Sequence, residues 1–328
     1  MNVTDVIDTI EHENSDFRIL TANDKLLILF SDLFGAKHVI KLPQLFNSFR
    51  NIINFFHDII RLPGLKKRVL RECQKLNPSK IVFYYIGYNG FESWLIKNLC
   101  INTKVYYRPK VNVGMIEKNN SLKMRIKTFV ISHLYRIRFE SSKYYGNPII
   151  TIGESFLKNV HAQKYDHIFN SKNVNEFVKG KYSELNSIKV LLLIGGNYNL
   201  DRDEYREKMY EIYRVITKYY DSHQIGIKNH PNFPNKEFEW SKNCTELPDK
   251  IPASLLCYTS NVVIAYGSAT LYEAADIGLP AISLINIIPS TSHNQAKDVS
   301  KYLLDNSVSK NIYFPKNFDE FNSLLMNL

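Results

Sequence analysis

The sequence predicts an α/β protein made of two doubly wound halves, each a parallel sheet with helices on its faces. Three observations carry this. Short runs such as Ile81–Ile86, Lys189–Ile194 and Val262–Ala265 are apolar nearly end to end, the pattern of strands buried on both faces. Segments of helical period fall between such runs, as right-handed strand–helix–strand crossovers require. A polar stretch over 159–187, with Asn170, Asn173, Asn175 and Gly180, separates two such series. The expected organisation is an N-terminal lobe over 1–158, a linker over 159–187 and a C-terminal lobe over 188–328.

In the first half, Val3, Val6, Ile7 and Ile10 recur at helical spacing behind Thr4, which suits an N-cap. Strands are expected at Phe17–Leu20, Leu26–Phe30 and His38–Leu42. Leu45–Leu62 reads as a helix closed by Pro63-Gly64. A second, basic helix follows over Leu65–Leu76, with Lys66, Lys67, Arg68, Arg71 and Lys75. Then come the strand Ile81–Ile86, a turn over Gly87–Gly90, the helix Phe91–Leu99 and the strand Val105–Tyr107. Leu122–Tyr145 reads as one basic amphipathic helix, with Lys123, Arg125, Lys127, Arg136, Arg138 and Lys143 against Glu140. Such a helix either covers the sheet with its charges solvated or meets anionic lipid headgroups. Pro148–Ile152 adds a strand.

In the second half, the strand Lys189–Ile194 runs into Gly195-Gly196-Asn197. The helix Asp203–Tyr220 sets Tyr205, Met209, Ile212, Ile216 and Tyr219 on one face. Gln224–Lys228 is a strand that ends in Asn229-His230-Pro231. A short helix over Ile251–Tyr258 precedes the strand Val262–Ala265. The helix Thr270–Ile277, the strand Ala281–Ile285 and a terminal helix Phe318–Leu325 complete the series.

The composition narrows the function. Among the 328 residues, 42 Lys and Arg face 32 Asp and Glu, a net charge of +10, with pI ≈ 9.2. Such an excess favours anionic partners. No nucleic-acid reader motif is visible, so nucleic acid is not the expected one. Cys73, Cys100, Cys244 and Cys257 form no CxxC pair and no Cys/His cluster of zinc spacing, as expected of free thiols in a reducing compartment. The opening MNVTDVIDTIEHENSD lacks the basic and apolar regions of a signal peptide. No run of about 18 apolar residues suggests a membrane-spanning helix. A cytoplasmic protein, peripheral on the inner face of a membrane, is expected.

Two strand ends carry the candidate chemistry. In Lys228-Asn229-His230-Pro231 the proline fixes its own φ and holds His230 extended. That places an imidazole at a strand end, where it can donate a hydrogen bond to a phosphate or protonate it as it leaves. Lys228 adds a positive charge. Taken alone, a His-Pro pair is also what an ordinary loop contains. Gly267-Ser268-Ala269-Thr270 opens a helix straight after a buried strand, where free amides and the helix dipole favour an anion. Ser and Thr are equally the preferred N-caps. Gly195, Gly196 and Asn197 repeat the pattern, which is also that of a plain turn. In an open parallel sheet such strand ends face the ligand crevice. No Walker lysine and no GxGxxG is present, and Asp201-Arg202-Asp203 opens a helix rather than a metal-binding loop. No essential metal is expected, so protein groups must neutralise a leaving phosphate.

On His230-Pro231 and the later Ser268 and Thr270, the C-terminal half resembles the bacterial sialyltransferases of GT-B fold, including those that build lipooligosaccharide and capsule. Those families share a His-Pro and a Ser-Ser/Thr motif, both of which contact the CMP of CMP-sialic acid. Here Ala269 interrupts the second motif. Leu247–Leu256 resembles the family segment before the last nucleotide-binding strand. Val3–Ile10 resembles the first helix, without the strand that normally precedes it. The resemblance implies two Rossmann-like lobes and an inverting, metal-independent transfer of sialic acid, or a related nonulosonic acid, from a CMP-sugar. The acceptor is a galactose-type hydroxyl of a surface glycan or lipid-linked oligosaccharide. It assigns His230 to the departing phosphate, with Pro231, Ser268 and Thr270 around the nucleotide; Gly267 and Lys228 adjoin these motifs and are expected there too. Lys228, Arg108 and Lys110 are candidates for the donor carboxylate. Many relatives carry paired acids before a glycine as the base, which Gly87-Tyr88-Asn89-Gly90-Phe91-Glu92 lacks. The base therefore lies open between Glu92 and the group Asp201, Asp203 and Glu204. Three alternatives remain at this level: another sugar donor such as a UDP-sugar or CMP-Kdo, CDP-glycerol, and a basic surface-binding protein without catalysis.

Overall fold

In the structure, a computed structural model, residues 3–43, 52–84, 90–108, 116–117, 122–135, 139–144, 147–152, 154–195, 203–230, 238–288 and 293–328 are described. The chain divides into two units. One comprises Met1–Val6 and Ser15–Ile168, the other Ile7–Asn14 and Phe169–Leu328.

The chain opens with α1 (Val3–Glu13), β1 (Ile19–Thr21), α2 (Asp24–Phe34), β2 (Val39–Lys41), α3 (Ile52–Lys75), β3 (Lys80–Phe83) and α4 (Gly90–Leu99). It continues through β4 (Lys104–Tyr107), β5 (Ile116–Glu117), α5 (Leu122–Tyr135), β6 (Phe139–Tyr144), β7 (Asn147–Ile152), α6 (Glu154–Asn159) and β8 (Gln163–Lys164). In the first unit β1 pairs with β2 and β4 lies between β3 and β8, all parallel. β7 lies antiparallel between β5 and β6. Phe83, Phe91, Leu95, Val105, Tyr135 and Phe156 form the centre of its core.

Four expectations for this half are corrected. Leu26–Phe30 is not a strand but the middle of α2. Asn23 caps the helix by accepting from the Leu26 amide at 3.1 Å, and Leu29, Phe30 and Leu33 are buried at helical spacing. The Pro63-Gly64 break does not occur; α3 runs through it. A helical proline costs about 3 kcal/mol, but Leu62, Val69 and Cys73 are buried on one continuous stripe across it, each burial contributing about 1.5–3 kcal/mol. The long basic helix ends at Tyr135. Lys143 lies on β6 instead, where Phe139 to Tyr144 pair with β7. Thr4 sits within α1 rather than ahead of it.

The second unit contains α7 (Ser171–Lys181), β9 (Val190–Leu193), α8 (Asp203–Ile216), β10 (Ile225–Lys228), β11 (Thr245–Glu246) and α9 (Ala253–Leu256). It ends with β12 (Val262–Ala265), α10 (Thr270–Asp276), β13 (Ala281–Ser283), α11 (His293–Asn306), β14 (Ile312–Tyr313) and α12 (Phe318–Met326). Residues 159–187 are less irregular than their polarity suggests. Asn170 caps α7, and Val174 and Val178 are wholly buried.

These strands form one six-stranded sheet in the order β11-β10-β9-β12-β13-β14, parallel throughout. The chain starts at the centre, winds out to one side, then returns beside β9 and winds out to the other. That is the doubly wound order, with its switch point between β9 and β12. Every residue of β9, β10, β12 and β13 is buried, as the unbroken apolar runs require. On one face Tyr205, Met209, Ile212 and Ile216 of α8 pack with Phe321 and Leu325 of α12 against Val190, Leu192 and Ile264. Gly226 is needed inside β10, because a Cβ there would meet Leu247 Cδ1 at 2.8 Å and Ile188 Cγ2 at 2.9 Å.

Candidate functional site

At the carboxyl edge of this sheet three neighbouring strands end in one row. Leu193 of β9 pairs with Lys228 of β10 on one side and with Ala265 of β12 on the other. Ile194-Gly195, Asn229-His230 and Tyr266-Gly267-Ser268 therefore leave the sheet side by side, at the switch point where an open α/β sheet leaves a crevice. The Ile194 amide donates to the Lys228 carbonyl at 3.0 Å, which carries the ladder one residue past the strands. Ser283 Oγ donates to the Tyr266 carbonyl at 2.8 Å and ties the exit of β12 to β13.

The residues singled out in the sequence fall as follows. His230 and Ser268 are half-buried at this edge. Ser268 Oγ accepts from the Thr270 amide at 3.3 Å, and its carbonyl accepts from Leu271 at 3.0 Å. Ser268 thus precedes the Ala269 N-cap of α10, is tied to its first residue, and still has its hydroxyl proton to donate. Thr270 is buried, which leaves Ser268 the more open of the two hydroxyls. The Gly195 amide is engaged by the hydroxyl of Tyr205, which burial pushes up to about 12. Gly267 has a packing reason of its own, since a Cβ there would lie 2.8 Å from Val299 Cγ1 on α11. Gly196, Asn197, Asp201 and Pro231 lie outside the described residues.

Lys228 is placed at the strand end but turned inward, not towards a ligand. It is 5% exposed, and its ammonium donates to the Pro248 carbonyl with Asp249 Oδ1 at 3.7 Å. Burial lowers its pKa, and the Asp249 carboxylate partly restores it. The Pro248-Asp249 turn is thereby fastened to the end of β10. Sequence reasoning missed this role; the only hint is the Pro-Asp pair within Leu247–Leu256. Asp203 and Glu204 are exposed in the first turn of α8, where negative charge complements the helix dipole.

In the first unit, Glu92 lies in the opening turn of α4. It is half-buried and accepts from the Ala22 amide, while burial raises its pKa above the ordinary carboxylate value. Arg108 does not face an open cleft. Its Nη1 donates to the Asp5 carbonyl at 2.8 Å, Nη2 lies 3.9 Å from Asp5 Oδ1, and the guanidinium sits 5.7 Å from the Tyr165 ring centroid. Lys110 lies outside the described residues. No helix among the described residues is long and apolar enough to cross a membrane.

Fold and edge together describe a doubly wound α/β unit, with three strand ends aligned at the switch point where open sheets of this kind bind ligands. No protein-family model matches the chain, and no curated protein sequence matches it. Among solved structures it is similar to an α/β-galactoside α-2,3-sialyltransferase from Photobacterium phosphoreum, at 13% identity and TM-score 0.43, covering 99% of this chain and 96% of that one. It is also similar to the UDP-GlcNAc 2-epimerase of Methanocaldococcus jannaschii, at 12% identity and TM-score 0.49, covering 98% and 89%. A third similarity is to a putative UDP-N-acetylglucosamine 2-epimerase from Listeria monocytogenes, at 12% identity and TM-score 0.40, covering 99% and 84%. Likeness this remote assigns no activity, so the chemistry is argued from the residues.

Proposed function

We propose that the protein is an inverting glycosyltransferase of the GT-B kind, which uses a CMP-activated sialic or related nonulosonic acid and a glycan hydroxyl as acceptor. One observation carries this reading. The exits of β10, β9 and β12, which bear His230, Gly195 and Ser268, stand side by side in one register row at the switch point. A nucleotide phosphate lying across that row meets an imidazole from one strand and a hydroxyl from another.

In the proposed reaction the acceptor oxygen attacks the anomeric carbon and forms the new C–O bond as the bond to the CMP oxygen breaks. The acceptor proton passes to a carboxylate. The released phosphate takes a hydrogen bond or a proton from His230. The base is open between Glu92, whose pKa burial raises, and the group Asp201, Asp203 and Glu204. Asp203 and Glu204 are exposed helix-start acids with a structural reason to be there. Ser268 holds the phosphate. Lys228 acts one step removed, by tying the end of β10 to the Pro248-Asp249 turn.

The test is turnover of CMP-sialic acid, measured as CMP release with a galactoside acceptor. His230→Ala should lower kcat at least about a hundredfold, the low end of general-acid contributions, with the melting temperature unchanged. Near-normal turnover in that variant overturns the assignment.

A further inference from the structure

The first unit carries a pocket at the amino edge of its β3-β4-β8 sheet, the end opposite to the strand exits where parallel sheets bind substrates. Its origin is a mismatch of strand starts. Lys104 opens β4 opposite Lys80 of β3, but β8 opens at Gln163 opposite Tyr106, so Lys104 and Val105 run past the start of their neighbour. The notch beside them is a pocket of about 350 Å³; ligand pockets begin at about 300 Å³. Val105 and Val160, 4% and 1% exposed, form an apolar floor. Lys104, His161, Gln163 and Asn102 are exposed at its rim.

The charge of the pocket is cationic. Among the described residues that line it none is acidic. The C-termini of α4 and α6 end beside it, and their partial negative charge alone would favour a cation. That charge is largely spent. On α4 the Ile96 and Leu99 carbonyls accept from the Cys100 and Asn102 amides, and the Lys97 carbonyl accepts from Cys100 Sγ. On α6 the Phe156, Leu157 and Lys158 carbonyls accept from the Val160, Ala162 and His161 amides. The donors are unspent: among the described residues the side chains of Lys104, His161 and Gln163 have no hydrogen-bond or ion-pair partner. His161 gives a second, independent sign. Its φ is 48°, the left-handed conformation that glycine usually supplies after a helix. A glycine would make this turn with less strain, so the turn itself has no need of an imidazole.

We propose that this pocket binds a small organic anion, with Lys104 and His161 on its acid group, Gln163 beside them, and Val105 and Val160 under its apolar body. The acid group is a carboxylate or a phosphate monoester, since both offer oxygens to an ammonium and an imidazole. The pocket lies at the far end of its own sheet from the strand exits, so its occupant is an effector and not a reactant. The inference stands whichever sugar donor the protein uses.

The experiment is isothermal titration calorimetry of the full-length protein with phenyl phosphate and with benzoate, and with benzyl alcohol as the uncharged control. At least one of the two anions should bind at least about tenfold more tightly than benzyl alcohol, the scale of one hydrogen bond to a charged group. The tighter of the two identifies the acid group. Lys104→Ala and His161→Gly should each weaken that binding at least about tenfold. His230→Ala should leave this binding as it is, which separates the pocket from the strand-end row of the second unit. Lys104 is exposed and glycine suits the φ of His161, so the unfolding midpoints of both pocket variants should match or exceed wild type. No binding of either anion, equal binding of benzyl alcohol, wild-type affinity in both pocket variants, or a loss confined to His230→Ala would each overturn the proposal.

Discussion

Gly267 and Val299 meet where β12 leaves the sheet: a Cβ on Gly267 would lie 2.8 Å from Val299 Cγ1. The glycine at the candidate phosphate edge is thus required first by the helix packed over it. Gly267→Ala should destabilise the protein by about 1–3 kcal/mol, the usual cost of overpacking. Adding Val299→Ala should recover part of that loss, because it removes the clashing atom. Denaturant unfolding of the single and double variants measures both. A single variant as stable as wild type would contradict the close approach.

Gly226 makes the same point at the strand interior, with Leu247 and Ile188 both inside 3.0 Å of a built Cβ. Gly226→Ala should cost about 1–3 kcal/mol. The urea midpoint should fall without a change in slope, as expected when only stability moves.

Lys228 gives stability a pH dependence of known sign. Burial lowers its folded-state pKa below the ordinary 10.5, so between the two values the unfolded chain binds more protons. Stability attributable to this group should therefore rise with pH across that window. Lys228→Met should flatten that rise. Unfolding midpoints measured from pH 8 to pH 10.5 decide it; a matching rise in the variant would contradict the burial.

Glu92 runs the other way. Its folded-state pKa is raised above 4.5 by burial, so the folded protein binds more protons in the window just above 4.5. Its contribution to stability is present at low pH and lost as pH rises through the folded pKa. Glu92→Gln should remove that loss and make the variant relatively more stable at neutral pH. Unfolding midpoints of wild type and variant compared from about pH 4 to about pH 8 measure this; a variant that loses the same stability across that range would contradict the burial.

Much of the second unit was legible in the sequence because its strands are buried on both faces. Val262–Ala265 and the inward face of α8 at Tyr205, Met209, Ile212 and Ile216 read directly from pattern. β11 and β14 did not, since strands of two residues carry no periodicity. The first unit was harder. Leu26–Phe30 is an apolar run that fits strand or helix, and the Asn23 cap decided it. Pro63 looked like a stop, but packing on both sides outweighed a local penalty. At the site, the sequence placed His230 and Ser268 at strand ends. The partners of Lys228, Gly195 and Arg108 were not readable, because each bond joins distant segments. The pattern fixes where a chain leaves its strand, not which way a long side chain turns.

The central claim is that the row Lys228–Leu193–Ala265 opens onto a cytidine nucleotide. Its most direct test is a thermal-shift comparison of CMP, UDP, CDP and GDP on the full-length protein, since a ligand bound only by the folded state raises its melting temperature by mass action. CMP should give the largest shift, and His230→Ala should reduce it. No shift with any of the four, or a CMP shift untouched by that substitution, would contradict the account.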